Sequence, residues 1–193
     1  MNRPRLGALI LAVAAFNGSD TMGSPQPAIT SYGERSAHAP AELETFAFLV
    51  GKWHGAGETK APDGSPVQFE MTWIGRYVLD GMAIADELHG AAPDGKPYLG
   101  ITFRHYDASQ HSWIVEYLNV TGSFLRRQVN PRSGSLSRQG DTIVVTSEDA
   151  DTRIRESYRV TGRDRFTYSM ELSRDAGRTW EPPAFEITLT RVE

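Results

Sequence analysis

The sequence predicts an all-β domain, a closed antiparallel up-and-down β-barrel of about 8–10 strands. Three observations predict it. Apolar and polar side chains alternate with period two over many short runs. Turn residues separate those runs. Gly51-Lys52-Trp53 stands where the first run begins, with Gly55 and Gly57 close behind it. A two-sheet sandwich would share the first two observations and stays open as the competing architecture.

The chain divides by composition into three parts. In residues 1–20, Arg3 and Arg5 precede an apolar run from Leu6 to Phe16, the layout of an export signal. That run is shorter than the roughly 20 apolar residues a membrane-spanning helix needs, so no integral membrane segment is expected. Residues 21–41 are rich in Gly, Ser, Pro and Ala and read as a disordered linker. Residues 42–193 form the expected barrel domain. A periplasmic or secreted location follows from the first part.

The elements follow in order. Pro40 to Phe46 leads in as a short helix or turn. Phe48 to Lys60 is the first strand region, broken by its glycines. Ala61-Pro62-Asp63-Gly64-Ser65-Pro66 is a turn, and Val67, Phe69, Met71 and Trp73 then alternate with polar residues. Gly81 to Gly90 is a strand, followed by the Pro93-Asp94-Gly95 turn. Tyr98 to Tyr106 and Ser112 to Asn119 form a hairpin around Asp107-Ala108-Ser109-Gln110. Gly122 to Val129 and Thr142 to Ser147 are shorter strands. The C-terminal third alternates most strictly: Ile154, Glu156, Tyr158 and Val160; then Phe166, Tyr168, Met170 and Leu172; then Phe185, Ile187 and Leu189. Such runs present one buried and one wet face.

Composition narrows the function classes. The 193 residues suffice for one domain with a real core. With 24 acidic against 20 basic side chains, the charge is near balance, and no nucleic-acid partner is expected. There is no Cys, which removes disulfides, thiolate metal sites and cysteine nucleophiles. No His-x-His or acidic cluster has metal spacing, so no metal site is expected. Nucleophile-elbow, phosphate-loop and dinucleotide motifs are missing from the sequence.

An indole at the start of the first strand can close one end of a small barrel. A cation from the last strand can stack across its face, and Arg191 is placed to do so. Gly51, Trp53 and Arg191 are therefore the expected structural floor. Gly51-Lys52-Trp53 with a late-strand Arg191 resembles the calycin superfamily, the lipocalins and their relatives. The longer string through Glu58 is similar to the nitrobindin-type haem barrels and to an uncharacterised bacterial family of calycin-like domains. The nitrobindin resemblance implies a haem iron held by a histidine on a C-terminal strand. Here the histidines are His38, His54, His89, His105 and His111, none of them late, and the C-terminal strands offer Tyr158 and Tyr168 instead. No cofactor is expected.

Polar residues on apolar strand faces mark the expected cavity lining, because burying them unpartnered costs free energy. Asp86 shares a face with Met82, Ile84 and Leu88, and His105 follows Leu99, Ile101 and Phe103. Glu116 lies between Ile114 and Leu118, although its opposite face (Trp113, Val115, Tyr117) is equally apolar. Arg126 follows Phe124, and Glu156 sits between Ile154 and Tyr158. Trp73, Trp113, Tyr117, Tyr158 and Tyr168 supply aromatic walls. The expected ligand-binding set is Trp73, Asp86, His105, Trp113, Arg126, Glu156 and Tyr158. The leading function is binding of a small hydrophobic or amphipathic ligand. An isomerase, cyclase or hydrolase using Glu156 with Arg126 or His105 is the alternative, with its catalytic residues otherwise unassigned. A buried pair that only satisfies itself, in a filled barrel, is the third reading. The expected partner is a small molecule, and self-association as a homodimer is open.

Overall fold

A computed structural model describes residues 32–60, 63–91, 97–121, 124–126, 132–149 and 152–192. A 3₁₀ helix, Ala41–Leu49, precedes β1 (Gly51–Lys60), β2 (Pro66–Val78), β3 (Ala83–Ala91), β4 (Pro97–Asp107), β5 (Ser112–Thr121), β6 (Phe124–Arg126), β7 (Arg132–Gln139), β8 (Thr142–Asp149), β9 (Thr152–Gly162), β10 (Arg165–Ser173) and β11 (Phe185–Arg191). The strands form one sheet in the order β4-β3-β2-β1-β11-β10-β9-β8-β7-β5-β6, and β4 also pairs with β5. That last pairing closes the sheet into an antiparallel barrel, the architecture expected, where alternation alone left a sandwich open. The sandwich is thereby set aside.

The first and last strands pair along their length, from Trp53 opposite Arg191 to Thr59 opposite Phe185. The β5–β7 seam is shorter, from Trp113 opposite Gly134 to Val115 opposite Arg132. β6 hangs on the far end of β5, with Arg126 opposite Asn119. β7 has no counterpart in the sequence reading. Its residues Arg-Ser-Gly-Ser-Leu-Ser-Arg-Gln carry a single large apolar side chain, so no period-two pattern announces it. The Pro93-Asp94-Gly95 turn lies outside the described residues, as do residues 122–123 and 127–129 of the expected strand Gly122 to Val129 around β6.

The 3₁₀ helix closes one end of the barrel. It buries Leu43, Phe46 and Leu49. Phe46 meets Trp113 edge-on at 5.0 Å, and Phe48 meets Phe166 at 5.2 Å. Two glycines make this entry feasible. Gly51 has φ 127°, a conformation strained for any residue with a Cβ. Gly75 lets the helix backbone approach: a Cβ there would lie 2.1 Å from the Leu49 carbonyl oxygen.

The described fold includes residues before the expected boundary. Residues 32–41 fall in the linker by composition, yet Tyr77 N–H donates to the Tyr32 carbonyl at 2.8 Å and Ser36 N–H to the Gly81 carbonyl at 3.1 Å. Arg35 donates to the Ala39 and Pro40 carbonyls at 3.0 Å each, holding the approach to the helix. Backbone and side-chain hydrogen bonding thus substitutes for the large apolar residues this segment lacks. The expected export signal and residues 21–31 lie outside the described residues. Among the described residues, no helix is long and apolar enough to cross a membrane.

Candidate functional site

Trp53 and Trp73 face each other across the β1–β2 pairing, yet they serve different ends of the barrel. Trp53 is sealed. Its Nε1 donates to the Leu49 carbonyl at 3.0 Å, and the Arg191 guanidinium lies 4.0 Å over its ring. Arg191 also donates to the Val50 and Phe48 carbonyls at 2.7 and 3.3 Å, and it pairs with Asp164 at 3.2 Å. The cation therefore fastens the last strand to the carbonyls that end the 3₁₀ helix. A cation–π contact of this kind contributes about 0.5–2 kcal/mol.

Trp73 instead forms the base of a cavity of about 290 Å³ that opens toward the other strand ends. Its Nε1 is buried without a hydrogen-bond acceptor among the described residues. The walls above it are aromatic. Tyr168 and Tyr158, opposite each other on β10 and β9, lie 5.3 and 6.3 Å from its ring. Phe69 and Phe185 stack at 4.8 Å near the rim. Tyr98 and Tyr117 complete the wall from β4 and β5, with their hydroxyls hydrogen-bonded to each other. The β9–β10 hairpin places these groups inward because Ile154, Glu156 and Tyr158 share a face opposite Leu172, Met170 and Tyr168.

Among the described residues, two charged side chains line the cavity, Arg104 and Glu156. Arg104 is 2% exposed and forms an ion pair with Asp86, which is fully buried. Its Nη2 donates to the Tyr158 hydroxyl at 2.9 Å. The guanidinium also lies 5.2 Å over the Phe46 ring. Each buried charge is thus matched, which is the condition for tolerating either. Glu156 has no cationic partner among the described residues; one oxygen accepts from the Tyr168 hydroxyl at 2.8 Å. Burial, reinforced by the Glu156 charge, holds the Tyr168 hydroxyl well above the usual phenol range, so it stays a proton donor.

The structure brings Trp73, Glu156 and Tyr158 of the expected set together around this cavity. Asp86 is buried behind the wall, reaching the cavity only through Arg104. Trp113 is buried against Phe46 and Tyr106 on the floor side. Arg126 sits on β6, and its side chain lies outside the described residues. His105 is a correction. It lies on the outer face of β4, because Thr102 and Arg104 are the buried positions while Leu99 and Ile101 are 37% and 38% exposed. Glu116 is likewise exposed on the outer face of β5. The acid–base set of Glu156 with His105 is therefore not assembled.

Sequence reasoning missed Arg104 and Tyr98. The face Leu99-Ile101-Phe103 is more apolar than Tyr98-Gly100-Thr102-Arg104, and hydropathy alone selects the wrong one. A usable signal was present in Asp86: a carboxylate among Ile84 and Leu88 demands a cation, and Arg104 lies opposite Ile84 on the adjoining strand. The donors do not suit a haem iron. His38, His54, His89 and His111 are exposed and His105 faces outward, while the Tyr158 and Tyr168 hydroxyls are engaged by Arg104 and Glu156. Among the described residues, no group of three His, Cys, Asp or Glu could hold a metal ion.

The sequence matches, over residues 38–191, the model of a family described as "Protein of unknown function (DUF1579)", and the chain belongs to that family. No curated protein matches it. The crystal structure of Rv2717c from M. tuberculosis is similar, with 19% identity, a TM-score of 0.52, and coverage of 80% of this chain and 99% of that one. That likeness bears out the β-barrel fold. Two more distant likenesses are the S-type phycobiliprotein lyase CPES from Guillardia theta (12% identity, 78% and 92% coverage, TM-score 0.42) and EF1p2_mFAP2b bound to DFHBI (13%, 75% and 94%, 0.39).

Proposed function

We propose that this DUF1579-family barrel binds a small amphipathic ligand in its cavity. One observation carries the reading: an aromatic chamber of about 290 Å³ whose base and wall present polar atoms that no partner among the described residues engages, Trp73 Nε1 and one Glu156 oxygen. A chamber built only to be filled would place side chains there, since protein interiors are close-packed. Concave, mostly apolar sites with a few convergent polar groups are the general form of small-molecule sites. The basic-then-apolar start of the chain supports export to the periplasm or beyond the cell, which cell fractionation of the tagged full chain tests.

Native mass spectrometry of the purified chain, beside a denatured sample, tests the binding reading. The expected result is a small bound mass that disappears on denaturation, or one regained on incubation with small aromatic probes. A chain that stays at its bare mass with every probe would contradict it.

A further inference from the structure

We infer that the cavity selects a protonated amine carried on an apolar or aromatic body. The inference rests on the binding reading above and adds the charge of the ligand. The Arg104 charge is already matched, by Asp86 on one side and by the Tyr158 hydroxyl on the other. It is committed to the wall and is not a free anion receptor. Glu156 is different. Its carboxylate lines the cavity, takes one hydrogen bond from Tyr168, and has no cationic partner among the described residues. With the Arg104–Asp86 pair cancelling, the described wall carries one uncompensated negative charge.

The rings around that charge favour the same head group. Tyr168, Tyr158 and Trp73 form a contiguous set, with centroids 5.0 Å apart for the two tyrosines and 5.3 Å for Trp73 and Tyr168. The negative faces of such rings attract a cation, and ammonium recognition by aromatic cages uses this attraction. A primary ammonium has three donors and no acceptor. It would answer the open oxygen of Glu156 with a charge-assisted hydrogen bond. The apolar body would then lie among Phe69, Phe185 and Met170 toward the rim. A carboxylate head group would meet Glu156 as a like charge, and a neutral alcohol would forgo the charge assistance.

The test is a calorimetric titration of the full chain near neutral pH with three probes sharing one body: 4-phenylbutylamine, 4-phenylbutan-1-ol and 4-phenylbutanoate. The amine is expected to bind roughly tenfold or more tighter than the alcohol, and the carboxylate weakest. Glu156→Gln is expected to bring the amine and alcohol to within about threefold, and Tyr168→Phe, which keeps the carboxylate, to preserve the amine preference. The head-group ratio is read on the unmodified protein, so a variant that fails to fold leaves the test intact. An alcohol or carboxylate that binds as well as the amine overturns this inference while leaving the binding reading in place. An amine preference that survives Glu156→Gln in a folded protein overturns it as well. If none of the three binds, this inference fails, and the native mass measurement decides the binding reading by itself.

Discussion

Trp53 and Trp73 occupy paired positions on neighbouring strands, and the contrast between them separates what holds the barrel together from what it offers to a ligand. At Trp53 the indole N–H is spent on the Leu49 carbonyl and the ring face on Arg191. At Trp73 the N–H is buried without an acceptor among the described residues, and the ring faces the cavity. The difference comes from what lies beyond each ring. The 3₁₀ helix brings its own carbonyls into the floor, past Gly75. At the other end nothing comparable enters from the described residues.

The contrast can be broken most severely at the floor. Trp53→Ala removes a fully buried indole and the group Arg191 stacks on, and is expected to cost about 3–5 kcal/mol in chemical denaturation. Arg104→Met should cost a similar amount, about 3–5 kcal/mol, because it strands the Asp86 carboxylate in the interior. The double variant Asp86→Leu/Arg104→Met should recover most of that loss. If Arg104→Met alone were as stable as the parent, the pair would not be the buried strut described.

A gentler pair of variants sharpens the comparison. Trp53→Phe and Trp73→Phe make the same chemical change. The first leaves the Leu49 carbonyl without its donor, an added cost of roughly 1–3 kcal/mol. The second deletes an N–H that has no acceptor among the described residues, next to an existing cavity, and should cost on the order of 1 kcal/mol or less. Equal losses of stability would remove the distinction between the two ends.

The smallest effect is in alkali. The folded state holds the Tyr168 proton more tightly than an unfolded chain does, whose phenol titrates near 10. Its stabilising contribution is therefore complete below about pH 10 and is lost as pH rises through the higher folded value. Tyr168→Phe should make the fall of Tm above about pH 10 shallower, and leave the midpoint near neutrality changed far less.

How legible each part was follows from what its residues had to satisfy. The strands β9, β10 and β11 have one wet and one buried face, so alternation reveals them. β7 pairs with β8 through backbone groups while carrying mostly Ser and Arg, and pairing of that kind leaves no hydropathy pattern. The floor was readable because Gly51, Trp53 and Arg191 each meet a constraint few residue types satisfy. The cavity was half readable. Glu156 and Tyr158 stand on a strictly alternating strand, but on β4 the outer face carries Leu99 and Ile101 and the inner face Arg104, so an alternation-based choice puts His105 inside. A buried charge identifies its partner better than hydropathy does, and Asp86 pointed to Arg104.

The most direct measurement is the quenching of tryptophan fluorescence by the cavity ligand in the two Phe variants. Each is titrated with 4-phenylbutylamine under identical conditions. Trp53→Phe should keep the ligand-dependent change in emission seen in the parent, because Trp73 still reports from the base of the cavity. Trp73→Phe should lose most of it. A signal lost in Trp53→Phe and retained in Trp73→Phe would contradict the account, since it would put the ligand at the end of the barrel described as sealed.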